Sequence, residues 1–321
     1  NLAGGTDNSR VNITGTVDVT ALGTPTVTNA ENGFLTGSTG NDDLTISGVQ
    51  LNSLIFGTGI IDFRAGTDIL NITSTSTSLN TLGNTNTSIL GLEQINASAA
   101  AAAVTISMSG QTEAFTITGS ANNDVITGGT GADIINAGNG NDTINLANGA
   151  FAAGESLTGG AGTDNITLTN PTTVNFTTGT LSTIEVLNGS TGNDTVTISG
   201  TQLDSFTSLL FNGGTDTLNI TSTSTGLNAL ANGNLTGLET VSASTAGAAV
   251  TINLSNQTEG FTITGSAFND IISAGTGNDT INGGDGVDTI IGGDGADTIN
   301  GGNGNDYLHG SGLTQTQIQA V

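Results

Sequence analysis

The sequence predicts an all-β protein, a parallel β-solenoid built from two tandem modules. Three observations carry this prediction. Gly, Thr, Asn and Ser are abundant and the residues that build helix surfaces are scarce, with 50 Gly and no Lys among 321 residues. A long stretch of sequence occurs twice, and a nine-residue motif recurs inside each copy. We therefore expect almost no helix.

The duplication sets the domain organisation. GSTGNDDLTISGVQL (37–51) corresponds to GSTGNDTVTISGTQL (189–203), and QTEAFTITGSANND (111–124) corresponds to QTEGFTITGSAFND (257–270). Each module is therefore roughly 150 residues long. The expected parts are an N-terminal β segment at 1–33, a first module at 34–149, a connector with one motif-like turn at 150–185, a second module at 186–312 and a tail at 313–321.

The nine-residue motif closes each module. It runs without a gap through 119–145 and again through 265–309, and isolated copies begin at Gly37, Gly159 and Gly189. Gly permits the positive φ angles of a tight turn, so the first six residues are expected to turn. The last three residues, such as Thr280–Asn282, form a short strand whose central apolar residue points inward. Two motifs then make one coil of about 18 residues.

An Asp stands at the sixth position of every copy. In stacked coils Asp270 would lie over Asp288, Asp279 over Asp297, and Asp288 over Asp306, at about 4.8 Å. Carboxylates this close require a cation between them. Oxygen ligands in a chain without Cys suit Ca²⁺ and disfavour zinc or copper. The predicted metal ligands are Asp42, Asp124, Asp133, Asp142, Asp164, Asp194, Asp270, Asp279, Asp288, Asp297 and Asp306.

The motif fits Gly-Gly-x-Gly-x-Asp-x-U-x, with U an apolar residue, and closely resembles the RTX nonapeptide repeat of bacterial proteins exported by type I secretion. This resemblance implies calcium β-roll segments that bind several Ca²⁺ ions, with turn carbonyls completing each site. Asn122 and Phe268 replace the fourth Gly of their copies, so 119–127 and 265–273 look like opening turns. The remainder of each module is similar to bacterial surface-layer (S-layer) and surface-layer-like proteins.

The charge balance excludes other classes of protein. Two Lys+Arg stand against 27 Asp+Glu, which gives a net charge of -25 and no basic surface for nucleic acid. So many carboxylates repel one another unless cations lie between them. The longest apolar stretch, 97–104, is too short to cross a bilayer, so membrane insertion is not expected. Disorder is disfavoured because apolar residues recur at regular intervals.

The sequence is not expected to encode an enzyme. His309 is the only His, and neither a His-Glu-x-x-His nor a Gly-x-Ser-x-Gly motif occurs. A polysaccharide-cleaving β-helix that uses Lys or Arg as its base would have to use Arg10 or Arg64. Neither residue lies in a recognisable polar cluster. Four Glu occupy matching positions in the two modules, which favours a turn, a cap or an additional calcium ligand over glycoside hydrolysis. These pairs are Glu93 with Glu239 and Glu113 with Glu259.

The sequence thus predicts a calcium-dependent extracellular structural protein of the bacterial cell surface that assembles with copies of itself into a lattice or filament. A cell-surface polysaccharide is a further candidate partner. Asp285 and Asp294, at the third motif position, are either solvated or bind Ca²⁺ between neighbouring molecules. Two alternatives remain, the spacer or binding region of a secreted RTX adhesin and the non-catalytic β-roll of a secreted hydrolase. Ice binding is disfavoured because Asp285, Asp294 and Asn303 interrupt the ladder of Thr.

Overall fold

The structure, a computed structural model, describes residues 33–55 and 59–310, together with the backbone of four short strands nearer the N-terminus. Those strands are Leu2–Ala3, Ser9–Asn12, Thr16–Asp18 and Val27–Thr28. The predicted tail at 313–321, the side chain of Arg10 and the rest of the N-terminal segment lie outside the described residues. The chain forms two compact units, Asn1–Leu146 with Ala150–Asn165 and Ala147–Gly149 with Ile166–Val321.

Unit 1 is a parallel β-solenoid in which successive coils contribute one strand to each sheet. Its long sheet has the strands Thr16–Asp18, Asp43–Ile46, Ile69–Ile72, Gln94–Asn96, Thr116–Thr118, Ile134–Asn139 and Ser156–Ala161. Two shorter sheets contain Ser9–Asn12, Gly33–Thr36, Ile60–Asp62 and Ile89–Leu90, and then Thr105–Ser107, Val125–Thr127 and Thr143–Leu146. Leu2–Ala3 pairs in parallel with Val27–Thr28.

Unit 2 has the same architecture. Its long sheet has the strands Thr173–Asn175, Thr195–Ile198, Thr217–Ile220, Thr240–Ser242, Thr262–Thr264, Thr280–Asp285 and Thr298–Asn303. Val186–Asn188, Ser208–Leu210 and Leu235–Thr236 form a second row of paired strands. The third sheet, here called the C-terminal sheet, contains Thr251–Asn253, Ile271–Ser273, Thr289–Ile291 and Tyr307–His309. Two further strands span Asn165–Leu168 and Thr180–Ser182.

Strand register confirms the predicted coil. Thr262 pairs with Thr280, and Thr280 pairs with Thr298, so each coil here advances by 18 residues. The central residues of these strands, Ile263, Ile281 and Ile299, stack in register and are buried. One stacked apolar residue from each strand fills the interior, because alternate side chains point to opposite faces of a strand. Apolar and polar residues alternate in 104–107, 115–118, 250–253 and 261–264, a pattern that predicts strands, and each of these segments contains one.

The glycine pattern follows from this stacking. Gly284, at the second motif position, has a φ of 107°, and a Cβ built on it would lie 2.0 Å from the carbonyl oxygen of Ser266 one coil earlier. Gly286, at the fourth position, has a φ of 126° and would bring a Cβ to 2.6 Å from the carbonyl carbon of Phe268. Both positions therefore require Gly for its backbone conformation and for the close approach of the next coil.

Among the described residues, three short helices interrupt the solenoid: Gly48–Leu54, Thr77–Gly83 and Gly200–Leu203. Single-turn 3-10 segments occur at Phe176–Thr178, Leu227–Ala229 and Asn232–Asn234. The helix content is low, as predicted, but the sequence did not predict where these short helices lie. Two of the helices begin with a capping box, Ser47 with Gln50 and Ser199 with Gln202, whose Ser-x-x-Gln spacing is visible in the sequence.

Removing the first of these caps should destabilise unit 1. Ser47 accepts a hydrogen bond from the amide of Gln50, so Ser47→Ala is expected to cost about 1 kcal/mol of unfolding free energy in a denaturant titration. Val49→Ala is the matched control on the same helix, because the Val49 side chain is 61% exposed. The control should stay within about 0.5 kcal/mol of the parent chain. An equal loss in both variants would contradict the capping role.

Candidate calcium ladder

Each predicted metal ligand stands at the end of a glycine-rich turn, immediately before a strand. Ten of the eleven Asp side chains are buried, and the last one, Asp306, is half-buried. Buried carboxylates are rare unless hydrogen bonds or cations compensate the charge. Each buried carboxylate oxygen therefore needs a hydrogen-bond donor or a cation.

In ten of the eleven predicted ligands, one carboxylate oxygen accepts a hydrogen bond from a main-chain amide of the preceding coil. The amide of Asp270 donates to Oδ1 of Asp288 at 2.7 Å, and the amide of Asp288 donates to Oδ1 of Asp306 at 3.0 Å. This geometry confirms the predicted stacking of the Asp residues. It also adds a feature that the sequence did not predict, because a main-chain amide stabilises these stacked carboxylates.

We call such a column of acids an acid ladder. Within the described residues the ladders are Asp42 with Asp68 and Glu93; Asp124 with Asp142 and Asp164; Asp194 with Asp216 and Glu239; Asp270 with Asp288 and Asp306; and Asp279 with Asp297. Asp133 accepts from the amides of Phe115 and Gly129. The structure thus brings all eleven predicted residues into stacked positions, and their metal ligation stays a prediction.

Two ladder members, Asp68 and Asp216, were not predicted from the sequence. Both are fully buried, and each Oδ1 accepts the amide of the ladder Asp one coil earlier at 2.7 Å. Their turns keep only the fourth Gly, the sixth Asp and the eighth apolar residue of the motif, since Phe63 and Phe211 replace the first Gly. The reduced pattern Gly-x-Asp-x-Leu was the available signal.

The matched pair Glu93 and Glu239 has a defined structural role. Oε2 of Glu93 accepts the amide of Asp68 at 2.8 Å, and Oε2 of Glu239 accepts the amide of Asp216 at 2.7 Å. Each Glu therefore takes the place of an Asp in its ladder, which fits the predicted structural role. Glu113 is exposed and Glu259 is half-buried, and each accepts only a neighbouring main-chain amide in the bonds described for it.

Serine closes the opening turns. At the second motif position, the Ser266 hydroxyl donates to Oδ1 of Asp270 at 2.8 Å, and the Ser120 hydroxyl donates to Oδ1 of Asp124 at the same distance. Ser38 and Ser190 make the equivalent bonds to their own Asp at 3.1 and 3.2 Å. Protein donors therefore surround the carboxylates of the opening turns. The later turns have no hydroxyl at the second position, which is Gly in the complete motifs, Arg64 before Asp68 and Asn212 before Asp216.

The later turns leave carboxylate oxygens without protein donors. Oδ2 of Asp68, Asp142, Asp216 and Asp288 is buried and has no hydrogen-bond partner. Burial, together with the charges of Asp164 and Asp124, raises the pKa of Asp142 to about 6. Burial likewise raises the pKa values of Asp68, Asp216 and Asp288. These are the positions at which a cation would replace the missing donors.

Glu155 extends the same pattern in unit 1. It precedes the strand that pairs with Ile134–Asn139, so it stacks over Asp133. Its Oε2 accepts the amide of Ala152 at 2.9 Å, and its buried Oε1 has no hydrogen-bond partner. Burial, together with the nearby charge of Asp133, raises the pKa of Glu155 to about 8. Glu155 therefore stacks on Asp133 as a further ladder acid, and the nine-residue motif did not indicate it.

The donor set fits Ca²⁺. Carboxylate and carbonyl oxygens are the ligands this ion prefers, and no Cys occurs in the chain. In the part of the chain that the structure describes, no three acidic or His side chains converge to hold a metal by themselves. Turn carbonyls would therefore complete each site, as the resemblance implies. The acids with a partnerless Oδ2 are the first candidates for ligands.

The remaining candidates lie apart from the ladders. His309 ends the strand Tyr307–His309 and is exposed. Arg64 is exposed with a φ of 71°, and its amide binds the Asp62 carboxylate. Asp285 and Asp294 are exposed on their turns. None of the helices in the described residues is long and apolar enough to cross a membrane.

A comparison with known protein families finds the RTX calcium-binding nonapeptide repeat in four copies, at residues 116–150, 181–197, 262–290 and 282–312. The chain therefore contains RTX repeats, which imply Ca²⁺ binding and are typical of secreted proteins. The predicted copies beginning at Gly37 and Gly159 lie outside the matched residues. The matched segments cover less than half of the chain, and no curated protein matches it.

Proposed function

We propose that this chain is a calcium-dependent extracellular structural protein that self-assembles into a surface-layer or surface-layer-like lattice or filament after type I secretion. The acid ladders carry the proposal. They place partnerless carboxylate oxygens inside both units, so folding of each unit depends on a cation that is plentiful outside the cell. When bound, Ca²⁺ would neutralise these oxygens. The chain's own contribution is to hold the carboxylates and turn carbonyls in register.

Assembly is tested by titrating the purified chain with Ca²⁺ from chelator to about 10 mM, with Mg²⁺ as the control. Light scattering and negative-stain imaging should detect ordered sheets or filaments only with Ca²⁺. A chain that folds with Ca²⁺ and stays monomeric would refute the lattice and favour the adhesin spacer. Turnover of a polysaccharide, protein or ester substrate would instead favour a hydrolase.

Replacing Asp288 with Asn should change stability in opposite directions with and without Ca²⁺. In chelator the variant is expected to match or exceed the parent, because it removes a buried charge and its Oδ1 can still accept the amide of Asp270. In Ca²⁺ at ten times its dissociation constant the variant should lose about 1.4 kcal/mol, the contribution of one site. Thermal unfolding under both conditions measures this.

Asp285→Asn is the matched control for that variant. Asp285 is exposed in the same turn, and the first module carries Asn139 at the matching position. Its calcium response should equal that of the parent chain. If the two variants respond to Ca²⁺ alike, the ladder carboxylate has no special role in binding.

Matching grooves support a polysaccharide as a second partner. A groove of about 580 Å³ in unit 2 is lined by Ser244, Thr264, Asn282 and Asn300 among others, and unit 1 has one of about 490 Å³ lined by the matching Ser98, Thr118 and Asn136. Hydroxyl and amide groups at regular spacing suit the hydroxyls of a sugar chain. Asn282→Ala with Asn300→Ala should weaken retention in affinity electrophoresis on cell-wall polysaccharide, and Thr289→Ala on another sheet should not.

A further inference from the structure

Unit 2 exposes apolar side chains on and beside its C-terminal sheet. On the strands, Ile271, Ile291 and Tyr307 are 51%, 39% and 70% exposed. In the turns that precede two of these strands, Phe268 and Val287 are 44% and 42% exposed. We call these five residues the apolar patch. Clustered apolar side chains on a surface mark an interaction site, whereas single ones are ordinary.

The first module shows that the fold does not require this patch. At the positions that match Phe268, Val287 and Ile291, it carries Asn122, Asn141 and Asn145. The local backbone is the same in both modules. The amides of Asn122 and Phe268 each donate to the hydroxyl oxygen of the Ser two residues earlier at 3.1 Å, and Gly140 and Gly286 share a φ of 126°. The apolar residues are therefore not needed for the turn or the strand.

The charge of the sheet indicates what kind of partner it fits. Its outward positions are Thr251, Ile271, Thr289 and Tyr307 in one column and Asn253, Ser273, Ile291 and His309 in the other. No carboxylate stands among them, although the chain has a net charge of -25. Two copies can therefore approach through this sheet without opposing like charges. A cationic partner would instead be attracted to the acidic turns.

We infer that the apolar patch is the contact between two copies of this chain, arranged as an isologous pair in which the same sheet packs on itself. This inference rests on the proposed self-assembly and names its surface. Only the second module carries the patch, so each chain supplies one such contact. Growth beyond a pair then uses another surface.

Tyr307 makes the patch directly observable. The chain has one Tyr and no Trp, so intrinsic fluorescence excited near the tyrosine band comes from this residue. In Ca²⁺, with the full chain varied from about 1 to 100 µM, acrylamide quenching of Tyr307 should fall as the sedimentation coefficient rises. The triple variant F268N/V287N/I291N, which carries the residues of the first module, should weaken association at least about tenfold.

The control variant T262N/T280N/T298N changes three exposed residues on the long sheet of unit 2 and should associate like the parent. Circular dichroism in Ca²⁺ verifies that both variants fold. If the parent and the patch variant associate equally, the patch is not the contact, even though the proposed assembly stands. If the parent chain stays monomeric, both the contact through the apolar patch and the proposed self-assembly are refuted. If it then dimerises on deletion of residues 311–321, that segment is the occupant of the patch.

Discussion

Removal of Ca²⁺ is expected to lower the unfolding free energy of the second RTX block by about 4 kcal/mol. Extracellular calcium sites have dissociation constants of about 10⁻⁴ to 10⁻³ M, and a tenfold excess of free ion adds about 1.4 kcal/mol per site. Three coupled sites in 265–309 give the total. Because a module of roughly 150 residues shifts its Tm by about 2–4 °C per kcal/mol, the Tm should fall by about 10 °C.

Far-UV circular dichroism during heating, in Ca²⁺ and in chelator, measures this shift. Mg²⁺ is the control, because it demands a smaller octahedral site and should not replace Ca²⁺. The direction is set by mass action, since the ion binds the folded ladders and not the unfolded chain. Equal β content and equal Tm in Ca²⁺ and chelator would contradict a calcium-dependent fold. The chain would then be expected to fold before export, in the low calcium of the cytoplasm.

Replacing Gly284 with Ala is expected to destabilise unit 2 by more than about 3 kcal/mol. The added Cβ would lie 2.0 Å from the Ser266 carbonyl oxygen, and the φ of 107° is unfavourable for any residue with a Cβ. Relief of the clash requires the two coils to separate, which breaks the strand pairing and the amide bond from Asp270 to Asp288. Thermal unfolding with Ca²⁺ present measures the loss.

Gly233→Ala provides the matched control in the same unit. Gly233 has no heavy atom within 4 Å of the position a Cβ would take, so the change should be neutral or slightly stabilising. A similar loss in both variants would show that Gly content alone, and not coil stacking, governs stability. The first motif position provides a further comparison, because Ala137 and Ala274 already occupy it in two copies.

The turns, the strands and the length of the coil could be predicted from the sequence because they depend on residues that are close together in the chain. Positions of Gly, the inward Ile of Thr280–Asn282 and the 18-residue coil followed from turn chemistry and the two-residue period of strands. The stacking of Asp270, Asp288 and Asp306 followed from the same arithmetic. Asp68 was not predicted because the coil between Asp42 and Asp68 is longer and contains a helix, so the 18-residue period does not connect the two residues.

By itself, the sequence determined that this protein is a glycine-turned parallel solenoid with a regular column of acids suited to Ca²⁺. Only the tertiary structure decided which acids lack a donor, that Glu93 and Glu239 complete ladders, and that unit 2 exposes an apolar patch. The reason is physical. A turn is shaped by residues within the motif, whereas the partners of a buried carboxylate and the exposure of a side chain depend on coils 18 or more residues away.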